Sequence, residues 1–231
     1  MRGLGRYVLT GLWLVLFAGT TEGKDRRPEL RNPLTDEDVQ RALESGARAN
    51  GRDCGLSLRD SMQGFSNAMA AMGDGRTGGT GFSVDVYTPF SWIAQQSSWA
   101  AKRYQAVRSE DVTEESRRGV LRVYANPDLP TRVSADGLVG TSGVDHIILR
   151  STRDKGFEVA QPIETQEDVA YAQNAFGAEV GYASLVGYFE LEDVRRISEL
   201  DAKGEFFVVV IGTSGEEKRF KVKTKHFDRL P

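Results

Sequence analysis

The sequence has a single cysteine, Cys54, and two histidines, His146 and His226, among its 231 residues. One cysteine excludes an intrachain disulfide framework, a cysteine-ligated iron–sulfur cluster and a cysteine-rich zinc site. Two histidines argue against a multi-histidine metal centre, so neither a metal nor a cofactor is expected. An excess of one charge is missing too. Lys+Arg 30 against Asp+Glu 33 gives a net charge of −3, which makes a poor nucleic-acid binder. There is no Gly-x-Ser-x-Gly elbow, no internal repeat and no low-complexity tract. At 39% hydrophobic and 27% charged, the chain is too apolar for wholesale disorder and too polar for a multispan membrane protein.

The N-terminus carries the most specific signal. Arg2 and Arg6 precede an apolar run from Tyr7 to Ala18, and the small-residue stretch Ala18-Gly19-Thr20-Thr21-Glu22-Gly23 follows. About twelve apolar residues are too few to span ~30 Å of hydrocarbon. The pattern reads as a secretory signal over residues 1–23, with a mature start between Thr21 and Asp25. The expectation is a soluble secreted or periplasmic protein with no membrane span after removal; an uncleaved N-terminal membrane anchor is the alternative. Cys54 lies too far from the cleavage region to carry a lipid. Residues 24–34 form a charged, proline-containing extended leader.

Beyond the leader, local signals predict an α+β fold. Its C-terminal part, residues 119–231, is a mainly antiparallel β-sandwich-like sheet; a helix-rich part, 35–118, precedes it and shares one domain with it. Thr35 caps a helix whose face is Val39, Ala42, Leu43, Gly46 and Ala47, stopped at Asn50-Gly51. Leu58, Met62, Phe65, Met69 and Met72 have the spacing of one helical core stripe. The glycine-rich segment 73–81 then runs into a strand and has no Lys, so it is a connector rather than a phosphate cradle. Thr88-Pro89 opens another helix, with Phe90, Ile93, Ala94, Ala100, Ala101 and Tyr104 on one face. A short helix covers Thr113–Arg118.

Seven strands are expected, at Phe82–Tyr87, Val120–Ala125, Val144–Arg150, Phe157–Gln161, Ser184–Glu190, Phe206–Ile211 and Lys218–Thr224. Thr165–Phe176 reads as a helix, and Leu191–Leu200 as one or two helical turns. The strand Phe206–Ile211 is apolar on both faces and therefore central.

Two groups are binding candidates. Trp92 and Trp99, seven apart on one helix face with Gln95 and Gln96 between them, could stack on a sugar ring or bury against the sheet. Arg219, Lys221, Lys223 and Lys225 alternate on the last strand about 6.6 Å apart, a cationic ladder suited to an anionic polymer or lipid headgroups, or to guarding a sheet edge. Catalytic patterns are thin. Cys54 has no context as a nucleophile, and its polar Gly51–Gly55 setting suggests partial exposure. Asp145-His146 and His226-Phe227-Asp228 are two-ligand fragments at best, because strand neighbours face opposite ways.

The sequence therefore points to an exported non-enzymatic binding or structural module for an envelope or extracellular partner. The alternative is an envelope hydrolase whose carboxylates converge from distant strands. Two or more of Asp85, Asp145, His146, Glu158 and Glu190 meeting in one concave pocket would favour the hydrolase, and their dispersal the binding module.

Overall fold

A computed structural model of the chain describes residues 33–59, 82–127, 143–152, 158–173 and 179–229. The expected signal segment and almost all of the leader lie outside them.

Helix α1 (Asp36–Ala49) starts where the sequence places it. The Thr35 hydroxyl accepts the Asp38 N–H at 3.1 Å, and the Asp38 carboxylate accepts the Thr35 N–H at 3.2 Å, a reciprocal box that satisfies two orphan donors. Asn50, at φ 47°, ends the helix. Its buried face runs through Val39, Ala42, Leu43, Gly46 and Ala49, while Ala47, expected on that face, is exposed. Leu58 corrects the expected helical stripe. It lies in strand β1 (Leu56–Arg59) opposite Val84, and Leu56 and Leu58 alternate onto the sandwich core. The other stripe residues, Met62 to Met72, and residues 73–81 lie outside the described residues.

Strand β2 (Phe82–Tyr87) runs into α2 (Pro89–Lys102), which Thr88 and Ser91 cap reciprocally with Pro89 in the first turn. This helix ends before Tyr104, which is fully exposed at φ 58° rather than on the buried face. A 3-10 turn (Ser109–Asp111) and α3 (Glu114–Arg117), capped by Thr113, lead into β3 (Val120–Pro127). Then come β4 (Val144–Ser151), β5 (Val159–Ala160), β6 (Glu164–Gln173), β7 (Glu179–Glu190), α4 (Leu191–Glu199), β8 (Glu205–Gly212), β9 (Glu217–Lys223) and a closing 3-10 segment (Thr224–Arg229). The helix expected at Thr165–Phe176 is strand β6 as far as Gln173. It pairs with β7 from Glu164↔Tyr188 to Gln173↔Glu179, a ladder that overrides the helix propensity of its Glu, Gln and Ala residues. With β1 and β6, the described residues hold nine strands.

These strands form two antiparallel sheets, ordered β1-β2-β3-β7-β6 and β5-β4-β8-β9. One core fills the space between them. Val84, Val86, Leu121, Val123, Leu185 and Phe189 come from the first sheet, and Ile147, Leu149, Phe206, Val208, Val210, Phe220 and Val222 from the second. Strand β8 is central, as its apolar run requires. A second cluster packs α1 against α2 through Val39, Leu43, Phe90, Ile93 and Ala94. Cys54 is fully buried there, correcting the expected partial exposure. Gln95 Oε1 accepts the Cys54 N–H at 2.6 Å, and Ser98 Oγ accepts the Gly51 N–H and donates to Arg52 O. Helix α2 thus pins the whole 51–54 loop, and burial pushes the Cys54 thiol pKa up. No described helix is long and apolar enough to cross a membrane.

Candidate functional site

The outer face of the five-stranded sheet, away from the sandwich core, is aromatic and polar. Alternation in β2, β3 and β7 puts Asp85, Tyr87, Arg122, Tyr124, Asn126, Ser184 and Tyr188 on this face. The register sets Tyr87 and Tyr188 on either side of Arg122, and Asp85 beside Tyr124. Helix α2 lays Trp92 over them. Its ring stacks on Tyr124 at 6.0 Å and meets Tyr87 and Trp99 edge-on at 5.5 and 5.9 Å.

Arg122 sits inside this cluster, 2% exposed. Its guanidinium lies 5.1 Å from the Trp92 ring centroid and 5.7 Å from that of Tyr188. Nη2 donates to Glu115 O at 2.7 Å, whereas Nη1 is buried without a hydrogen-bond partner among the described residues. Burial lowers the Arg122 pKa and raises those of Tyr87, Tyr124 and Tyr188.

A hydrogen-bond chain crosses the sheet beside the rings. Ser184 Oγ donates to Asn126 Oδ1 at 2.7 Å, and Asn126 Nδ2 donates to Asp85 Oδ2 at 2.6 Å. Ser57 Oγ contacts Asp85 Oδ1 and lies 3.0 Å from Asp53 Oδ2, while Tyr87 OH donates to Asp53 Oδ1 at 3.0 Å. One hydroxyl has one proton, so Ser57 can donate to only one of the two carboxylates. A proton on Asp85 satisfies both contacts, in keeping with a pKa raised first by burial and then by the Asp53 charge against the Ser57 hydrogen bond.

The two sequence-named indoles therefore differ in position. Trp92 is half-buried as the hub of the cluster, and Gln95 turns inward to Cys54. Trp99 is 45% exposed and forms a wall of an open groove of about 430 Å³. Gln96, Arg103, Gln105, Asp111, Thr113 and Ser116 supply its polar lining, and Gln96 Nε2 bonds Ser116 Oγ across it at 3.1 Å.

The basic residues are not a free ladder. Lys221 and Lys223 hold Glu205, whose side chain is 8% exposed, at 2.9 and 3.1 Å, and Arg219 pairs with Glu217. Lys225 lies beyond β9, exposed in the last 3-10 segment. Arg219 and Lys221 also line a cleft of about 470 Å³ that Ser57, Leu58, Arg59, Lys218 and Phe220 complete.

Asp85 and Glu190 lie in the five-stranded sheet and Asp145 and His146 in β4 of the other, while Glu158 immediately precedes β5. Glu158 pairs with Arg196, and Glu190 closes β7 opposite Val120. Asp145 and His146 do meet, Oδ2 to Nδ1 at 2.7 Å, because a bulge between Val144 and His146 breaks the strand alternation. Among the described residues, no group of three His, Cys, Asp or Glu side chains could hold a metal ion. No protein-family model, curated protein or solved structure matches the chain.

Sequence reasoning did not single out Arg122, Tyr124, Tyr188, Asp53 or Ser57. The available signal was the alternation Arg122-x-Tyr124-x-Asn126, which marks an outward face that is aromatic and polar together.

Proposed function

We propose that the chain is an exported, non-enzymatic binding module that takes a hydroxyl-rich ligand, a sugar ring, on Trp99 and its groove. The export part of this reading rests on the Arg2–Gly23 pattern. N-terminal sequencing of the protein from its producing cell should find a start between Thr21 and Asp25; retention of Met1 would overturn it. The binding part rests on one observation, an indole left 45% exposed at the edge of the aromatic cluster, against Trp92, and bordered by amide, hydroxyl, carboxylate and guanidinium groups. A flat apolar face bordered by hydrogen-bonding side chains suits a sugar ring, which has an apolar face and a polar rim.

Tryptophan fluorescence titrated with a panel of soluble oligosaccharides tests it. At least one should give a saturable change, and Trp99→Ala should weaken it about tenfold or more with the melting temperature kept, as for a central aromatic anchor. Equal binding by Trp99→Ala, or no response across the panel, overturns the reading.

The hydrolase reading draws on one specific feature, the Asp53–Ser57–Asp85 arrangement, in which two carboxyl groups share a single hydroxyl. Glycan hydrolysis by the wild type that Asp85→Asn abolishes would favour it over simple binding.

A further inference from the structure

Among the described residues, strands β1 and β9 are the outermost strands of their sheets, each with a strand neighbour on one side only. They meet at one corner of the sandwich, where the cleft of about 470 Å³ opens. Its floor is apolar, because Leu58 and Phe220 both pack on the sandwich core. Its rim is cationic, with Arg59 from the first sheet and Lys218, Arg219 and Lys221 from the second; Arg219 also pairs with Glu217 and Lys221 with Glu205, and among the described residues no acidic side chain lines the cleft itself. In a chain of net charge −3, this is a local reversal of sign.

We propose that this cleft docks an extended segment of a partner protein in which acidic side chains alternate with apolar ones. Three features select that occupant. An edge strand presents backbone donors and acceptors that an added strand can pair with. Arg219 and Lys221, two residues apart, stand about 6.6 Å from each other along β9. Acidic side chains at i and i+2 of an extended segment have the same spacing, and the residue between them points the other way, toward Leu58 and Phe220. The clamp on Glu205 shows the chemistry in miniature: one carboxylate already sits between Lys221 and Lys223. Lysines that only guard a sheet edge account for β9, but not for an arginine brought to the same cleft from the opposite sheet. A polyanion read by charge alone has no use for the apolar floor. The site is independent of the Trp99 groove and stands or falls without it.

The probe is a fluorescein-labelled octapeptide of alternating Glu and Val, followed by anisotropy with the full chain at low and physiological salt. The comparison probes are a block peptide of the same composition and vesicles containing anionic lipid. The alternating peptide should bind at least tenfold more tightly than the block peptide, and binding should weaken as salt rises. Arg59→Glu should weaken it tenfold or more, whereas Lys225→Glu, outside the cleft, should leave it unchanged. Arg59→Gln serves if the charge reversal lowers the melting temperature. Four results overturn the proposal: no binding by the wild type, equal binding of the two peptides, indifference to Arg59 substitution, or tight capture of anionic vesicles with the alternating peptide ignored.

Discussion

Arg122 lies 5.1 Å over the Trp92 ring, and its Nη1 points at no acceptor. Among the described residues, two aromatic faces and one backbone carbonyl are the partners of a guanidinium that is almost wholly buried. A buried donor without a partner costs about 1–3 kcal/mol, and flanking rings return part of that. Arg122→Met keeps most of the volume and removes both the charge and the orphan donor, so its stability should stay within about 1 kcal/mol of the wild type. Arg122→Lys keeps the charge but loses the planar stack and the fork that reaches Glu115 O, and should lose more, about 2 kcal/mol or above. Urea midpoints that rank Lys above Met would show that the charge itself stabilises the cluster.

Asp85 should make stability fall as pH rises. Its pKa is raised in the folded protein, chiefly by burial. Between the unfolded value of about 3.9 and the folded one, the native state therefore binds more protons than the unfolded state. The contribution is fully present below the unfolded pKa and is lost as pH climbs through the folded pKa. Asp85→Asn is neutral throughout; its amide can donate to Ser57 Oγ and its oxygen can accept from Asn126. The difference in melting temperature, variant minus wild type, should grow from about pH 4 upward. A difference that is flat with pH would mean that Asp85 ionises without cost.

The features legible in the sequence are those decided within a few residues. Thr35 and Thr88 cap their helices because a hydroxyl reaches a backbone N–H three residues on. The apolar Phe206–Ile211 run marks its strand as central on composition alone. What was not legible depends on pairing between distant segments. Strand β6 has helix-forming residues and becomes a strand only because β7 offers it a ladder. Arg122 and Tyr188 each alternate outward in their own strands, yet only the β3–β7 register brings them together. Arg59 and Arg219 share a cleft because two sheet edges meet at one corner, and neither sequence neighbourhood announces that. Trp99 was legible as a candidate, but its division of labour with Trp92 was not, since that depends on how α2 rolls on the sheet.

Lys221 looks like a solvent-face residue by alternation, and such a position tolerates charge reversal within about 0.5 kcal/mol. Its 2.9 Å contact with Glu205 changes that expectation. Lys221→Glu sets a second carboxylate against one that is nearly buried, and should destabilise by about 1 kcal/mol or more, with part of the loss recovered in Lys221→Glu/Glu205→Gln. Lys225→Glu, exposed beyond the strand, should stay within about 0.5 kcal/mol. Val209→Asp is the severe case: the side chain is 1% exposed between Ile148 and Arg219, and a carboxyl there costs several kcal/mol whether it ionises or not. Denaturation midpoints should rank Lys225→Glu, Lys221→Glu and Val209→Asp in order of falling stability. A Lys221→Glu as mild as Lys225→Glu would mean that Glu205 is held by Lys223 alone.

Gly46 separates two opposing effects cleanly. It sits in the last turn of α1, its carbonyl accepting the Asn50 N–H, where replacement by Ala gains at most about 1 kcal/mol of helix propensity. An ideal Cβ there would stand 1.9 Å from Ala94 O and 2.7 Å from Ala94 C, both backbone atoms of α2. Backbone cannot swing aside as a flexible side-chain end can, so α1 and α2 would have to separate along their shared core of Val39, Leu43, Phe90 and Ile93. Parting a close-packed contact costs more than the propensity gain. Gly46→Ala should therefore destabilise by about 2 kcal/mol or more, and Gly46→Val by more still. The same separation loosens the 51–54 loop that Gln95 and Ser98 pin to α2, so the buried Cys54 thiol should react faster with a maleimide in Gly46→Ala than in the wild type. A stabilised Gly46→Ala would mean that the two helices pass each other at a greater distance than this crossing.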